Sequence, residues 1–184
     1  MNKDVESILL TEEEIKAKVK VLGQQISEDF GDNSILAICI LKGSVVFYSD
    51  LIREITNDVE MAFIAASSYG SEAVSSGKVE VTNIMEIPIE GRHVLLVEDI
   101  VDSGRTLARI KQAFANEGAA DIKIAALLDK PERRQVDIKA DYYGFNIPNE
   151  FVVGYGLDYD QKYRNLPYIG ILKREVYEPK EVKD

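Results

Sequence analysis

Glu98, Asp99 and Asp102 stand directly before Ser103-Gly104-Arg105-Thr106, so three carboxylates and a small-residue turn share one short stretch. The turn has the composition for close backbone approach. Gly104 lacks a Cβ, Ser103 and Thr106 carry hydroxyls, and the first amides of a helix that follows have no partner inside it. Such an N-terminus suits a phosphate. The acids would repel a phosphate if they faced it, so they read as partners for neutral sugar hydroxyls, a divalent cation or a proton to be moved. One loop would then grip both ends of a ribose phosphate. Acidic residues after a buried strand also occur in response regulators and in phosphatases that form aspartyl-phosphates, and an Asp-Ser-Gly turn alone is common. The whole string, in a strand-turn-helix context, is much rarer.

Other residues have types suited to the same chemistry, each with a plainer reading beside it. Leu41-Lys42-Gly43-Ser44 follows an apolar run as the acidic stretch does, and by itself is an ordinary turn with an exposed lysine. Lys130, after Leu127-Leu-Asp and before Pro131, is by itself an exposed strand terminus. In Phe151-Val-Val-Gly-Tyr-Gly-Leu-Asp158 the two glycines could serve only tight packing, and Arg164, six residues on, could be a surface salt-bridging arginine. The single cysteine, Cys39, lies in the apolar run 35–41 and reads as a buried reduced thiol rather than a nucleophile or metal ligand. His93, the sole histidine, opens a strand outside the acidic stretch and is given no catalytic role.

The elements that must hold these groups follow from hydrophobic spacing. Residues 94–97 form the continuous apolar run of a strand covered on both faces, and Leu107, Ile110 and Phe114 give a helix after the turn. Thr11 with Glu14 is a capping-box signature, and Ile15, Val19, Leu22, Ile26 and Phe30 continue a helix to Gly31. The apolar run 35–41, the Lys42-Gly43-Ser44 turn, helix-like 45–55 and a strand at 59–66 make a βαβ unit. Residues 67–78 turn to Ser, Gly and Tyr between strand-like 59–66 and 79–84, and read as a mobile loop. Further strands are expected at 122–128, around Tyr142, at 151–153 and at 168–172, and residues 175–184 read as a frayed, solvated end.

With 184 residues the chain suits one compact domain, 1–184, of α/β class. No apolar run approaches the ~20 residues that cross a bilayer. The N-terminus lacks the basic start and apolar core of a secretory signal, so a cytoplasmic location is expected. A formal charge of −10 argues against nucleic acid or an anionic membrane as partner, while a local basic site could still hold a small anion.

The string Glu98-Asp-Ile-Val-Asp-Ser-Gly-Arg-Thr106 resembles the diphosphoribosyl-diphosphate-binding motif of the type I phosphoribosyltransferases, and the other patches extend the similarity from Ile35 to about Leu172. They resemble the hypoxanthine-guanine branch of that family, in which a Leu-Lys-Gly-small turn contacts pyrophosphate, often through a cis peptide before the lysine. The resemblance implies a central, mostly parallel sheet flanked by helices, with a small hood over the active site. It implies magnesium-dependent transfer of the phosphoribosyl group from 5-phosphoribosyl 1-diphosphate to N9 of hypoxanthine or guanine, giving IMP or GMP and pyrophosphate. Carried onto this chain, Glu98, Asp99, Asp102, Ser103, Gly104, Arg105 and Thr106 would hold the phosphoribosyl group, and Asp102 would take a proton from purine N7. Lys42, Gly43 and Arg164 would bind pyrophosphate. Lys130, Phe151, Val152 and Asp158 would form the purine pocket, with Lys130 facing the 6-oxo group. Glu98, Asp99 and Asp158 would serve magnesium, and Ser68 and Tyr69 would sit in a closing loop, where Glu72-Ala73-Val74 departs from the family's usual small polar insert. The family is commonly dimeric or tetrameric, so a homodimer or homotetramer is expected. Two rival readings stand beside this one: a nucleotide-sensing regulator on the same fold that binds RNA or DNA, and a relative preferring xanthine or adenine. The acidic balance disfavours the first, and Lys130 disfavours adenine but leaves xanthine open.

Overall fold

The computed structural model describes residues 1–66, 81–83 and 87–178. Strand β1 (Val5–Leu10) leads into helix α1 (Glu12–Phe30), whose start carries both halves of the capping box: the Glu14 amide donates to Thr11 Oγ1 at 3.2 Å and the Thr11 amide to Glu14 Oε2 at 2.8 Å. The helix ends at Gly31, at φ 56°. Next come β2 (Ile35–Leu41), α2 (Val45–Glu54), β3 (Val59–Ala66) and β4 (Val81–Asn83). Strand β5 (His93–Val101), α3 (Arg105–Asn116), β6 (Asp121–Asp129) and β7 (Tyr142–Asn146) complete the main sheet and its helices. A smaller sheet adds β8 (Val152–Val153) and β9 (Ile169–Leu172), and α4 (Arg174–Tyr177) follows.

The main sheet runs β4-β3-β2-β5-β6-β7. Its pairings are parallel except for the edge strand β4, which lies antiparallel on β3. Alternation along the strands divides the core into two layers, as a sheet covered on both faces requires. Ala37, Cys39, Leu95, Val97, Ala125 and Leu127 face α1 and α2, packing with Ile15, Leu22, Phe47 and Leu51. Their neighbours Leu36, Ile38, Leu96, Ile124 and Ala126 face α3 through Leu107, Ile110 and Phe114. The expected apolar stripes of both helices are therefore the buried ones.

The small sheet has order β1-β9-β8, antiparallel throughout, and is the hood that the resemblance implies. Strand β1 has no counterpart in the sequence reading, because Val5-Glu-Ser-Ile-Leu-Leu10 alternates poorly; its pairing with β9, far along the chain, makes it a strand. The end expected to be frayed departs from that expectation in its first part, and residues 179–184 lie outside the described residues. Residues 174–177 form a short helix, and Tyr177 stacks on Phe151 with ring centroids 4.9 Å apart.

Candidate active site

The order of the main sheet sets where a ligand can enter. Successive crossovers leave β2 toward β3 on one side and β5 toward β6 and β7 on the other, so the carboxyl ends of β2 and β5 flank the crevice where chain direction switches. A cleft of about 310 Å³ opens there, lined by Leu41 and Gly43 from the β2 end and by Glu98, Asp99, Asp102, Ser103, Gly104 and Thr106 among the residues from β5 onward.

Strand β5 is longer than its apolar run, reaching Val101, so Glu98 and Asp99 are strand residues rather than part of a loop. The sequence ended the strand where the side chains became charged, but the backbone keeps its ladder with β6 through Val101 pairing with Asp129. Asp99 packs against the β2–α2 turn: a Cβ on Gly43 would lie 1.6 Å from Asp99 Oδ2, so any larger residue there would displace the carboxylate tip. Burial pushes both carboxyls above the usual carboxylate range, Glu98 furthest, with the neighbouring Asp99 charge adding to it. Among the described residues Glu98 Oε2 is buried without a hydrogen-bond partner. A buried acceptor of this kind is costly unless a ligand satisfies it.

The turn after β5 is built as expected. Gly104 sits at φ 79° as the N-cap of α3, in the left-handed region that favours glycine, and Ser103 Oγ accepts from the Arg105 amide at 3.4 Å. Ser103 and Thr106 line the cleft beside these amides. Arg105, by contrast, is exposed and does not line the cleft.

Asp102 is half-exposed and accepts a hydrogen bond from Arg133 Nε at 2.6 Å. The segment after β6 is laced to the same turn. The Lys130 amide donates to Val101 O at 3.0 Å, Arg134 Nη1 to Asp102 O at 3.1 Å, and the Gln135 amide to Ser103 O at 3.0 Å. Lys130 Nζ donates to Glu150 O at 2.7 Å, and burial lowers its proton affinity while the Asp102 charge supports it. Phe151 is exposed at the edge of the hood, packed edge-on to Tyr159, and Val152 beside it is buried.

Arg164 completes the far wall. Its guanidinium donates to Gly156 O at 2.7 Å and pairs with Asp158 Oδ1 at 2.8 Å, and its charge lowers the proton affinity of Asp99. Gly156, at φ 100°, lies so close to the β2–α2 turn that a Cβ would meet Gly43 O at 2.0 Å. Asp99, Gly43, Gly156, Arg164 and Asp158 thus form one contiguous path. The Leu41–Lys42 peptide bond is cis, and the Lys42 side chain is exposed, outside the cleft lining.

The expected magnesium set is not gathered in one place. Among the described residues no group of three or more His, Cys, Asp or Glu side chains could hold a metal by themselves. Asp158 is engaged by Arg164 and by the Gln161 amide at 2.8 Å, apart from the Glu98 and Asp99 pair. All three are hard oxygen donors, and Glu98 Oε2 is unpartnered, which suits an ion bound through few carboxylates and completed by substrate oxygens and water.

Ser68, Tyr69 and the expected closing loop lie outside the described residues. Arg133 and Arg134 are not among the site residues expected from sequence, although two arginines directly after Lys130-Pro-Glu mark a basic segment that could brace an acid. Tyr177, in the segment expected to be a solvated end, is likewise not among them.

The profile of the phosphoribosyl transferase domain family matches residues 6–160. The hypoxanthine-guanine phosphoribosyltransferase of Bacillus subtilis is 51% identical over 178 residues, covering 97% of this chain and 99% of that protein. Its counterpart in Streptococcus thermophilus is 50% identical over 177 residues, covering 96% of this chain and 98% of the relative. A crystal structure of a hypoxanthine phosphoribosyltransferase from Staphylococcus aureus superposes with a TM-score of 0.90 at 45% identity, covering 96% of both chains.

Proposed function

The chain belongs to the phosphoribosyl transferase family, and we propose that it transfers the 5-phosphoribosyl group of 5-phosphoribosyl 1-diphosphate to N9 of hypoxanthine or guanine, giving IMP or GMP and pyrophosphate in purine salvage. The observation that carries the base assignment is the lacing of Lys130 to the turn that bears Asp102. O6 and N7 of a 6-oxopurine share one edge, so a lysine and a carboxylate braced side by side suit the two atoms together. Lys130 spends one of its three donors on Glu150 O and keeps others for O6.

In this reading the Ser103 and Thr106 hydroxyls and the α3 amides hold the 5′-phosphate. Glu98 and Asp99 face the ribose hydroxyls, which satisfy the orphaned Glu98 oxygen. As N9 bonds to C1, the C1–oxygen bond to pyrophosphate breaks and Asp102 takes the proton from N7, a contribution of about 10²–10⁴-fold in rate. Arg164 and Lys42 place positive charge where the leaving oxygen becomes negative. Phe151 stacks on the base, and the Val152 backbone contacts it. Bound magnesium would neutralise pyrophosphate charge, held through Asp158 on one side and near Glu98 and Asp99 on the other. Homodimeric or homotetrameric assembly and a cytoplasmic location belong to the same proposal. Among the described residues no helix is long and apolar enough to cross a membrane.

The test is specificity. Adenine presents a 6-amino donor to a half-buried ammonium, a mismatch worth up to about 10⁴-fold. In the wild type kcat/KM for hypoxanthine and guanine should far exceed that for adenine, and Lys130→Gln should erode the ratio because an amide offers either a donor or an acceptor. An unchanged ratio in the variant would remove Lys130 as the 6-oxo reader.

A further inference from the structure

Arg133 has no part in the reaction as set out above, yet among the described residues it makes the one side-chain hydrogen bond to the Asp102 carboxylate, Nε to Oδ1 at 2.6 Å. Both groups are about half exposed, at 48% and 43%, so the pair adds little to stability. Its significance lies in geometry. A proton acceptor must lie within hydrogen-bond reach of the atom it serves, and a free aspartate at the mouth of a cleft has two torsions that carry it away. Arg133 ties down Oδ1, and among the described residues no hydrogen bond engages Oδ2. Arg134 fixes the backbone of the same residue, and the Gln135 amide fixes Ser103 O, so three consecutive residues hold the turn that carries Asp102. Arg134 is itself anchored by Asp129. The segment leaves β6 directly after Lys130, which couples the orientation of the acid to that of the lysine.

We propose that Arg133 is a positioning residue for Asp102, holding its carboxylate toward purine N7 in register with Lys130. The inference rests on Asp102 being the proton acceptor. The alternative, that the guanidinium restrains the carboxylate and must leave before reaction, predicts faster turnover once Arg133 is removed.

A double-mutant cycle on the full-length enzyme separates these readings. Arg133→Gln should lower kcat about tenfold, as a misplaced catalytic group does, and leave the KM for 5-phosphoribosyl 1-diphosphate within about twofold. Arg133→Lys, which keeps the charge without the planar fork, should recover part of the loss. In an Asp102→Asn background, Arg133→Gln should change kcat by less than about twofold, because the group it positions is gone. Equal losses in both backgrounds, no loss in the wild type, or a gain in turnover would each overturn the proposal. If Asp102→Asn alone leaves turnover intact, the assignment of Asp102 fails, and the role of Arg133 fails with it. Matching thermal melts of wild type and variants check that kinetics rather than folding is read.

Discussion

At the scale of single residues, function depends on groups whose surroundings are set by a few contacts. Asp102→Asn should lower turnover by about two orders of magnitude or more, with binding of 5-phosphoribosyl 1-diphosphate largely kept, since the amide cannot accept the proton but leaves the α3 amides in place. Single-turnover kinetics and a binding titration separate the two effects, and turnover within about threefold of wild type would refute the role. Cys39 illustrates the opposite case. Burial pushes its thiol up to about 11, against the pull of a contact with Ser44 Oγ at 3.2 Å, so at neutral pH it is almost wholly protonated. It should resist thiol reagents in the native protein and react on unfolding; rapid labelling without denaturant would contradict this. The sequence indicated that outcome, because a cysteine inside an unbroken apolar run has no cation to stabilise a thiolate. It also indicated Asp102, Ser103 and Gly104, whose order carries their chemistry. Arg133 was not legible as a partner of Asp102, because a contact between residues 31 apart depends on how the end of β6 meets the end of β5.

At the scale of elements, the site is a meeting of three backbone segments at very short range: the β2–α2 turn, the end of β5 and the glycine-rich loop after β8. Two glycine substitutions should separate their roles. At Gly43 an added Cβ meets a movable carboxylate tip, so Gly43→Ala should melt near the wild type but lose activity as Asp99 is displaced. At Gly156 the added Cβ meets backbone, and φ is 100°, so Gly156→Ala should cost more than about 1 kcal/mol of stability as well as activity. Denaturant melts and turnover of both variants test the contrast; equal melting of the two would contradict it. Helix α1 and the βαβ unit were legible because their apolar periodicity and capping residues are local. Strand β1, the full length of β5 and the short α4 were not. Each gains its form from a distant partner: β9 for β1, the β6 ladder for the charged end of β5, and Phe151 for Tyr177.

At the scale of the whole molecule, an acidic chain of formal charge −10 must take up a strongly anionic diphosphate. Activity should therefore vanish on chelation and return with added magnesium, because carboxylates and pyrophosphate otherwise face each other unscreened. Full activity in excess EDTA would contradict that requirement. The sheet places the acids of β5 and the turn of β2 on either side of the switch in strand order, and the hood brings Phe151 to the same end of the molecule as Lys130. The most direct test of the central claim is nucleotide formation from 5-phosphoribosyl 1-diphosphate and magnesium with each of hypoxanthine, guanine, xanthine and adenine in turn, followed by pyrophosphate release. Hypoxanthine and guanine should be converted efficiently and adenine hardly at all. Adenine used within about tenfold of hypoxanthine, or no nucleotide from either 6-oxopurine, would contradict the account.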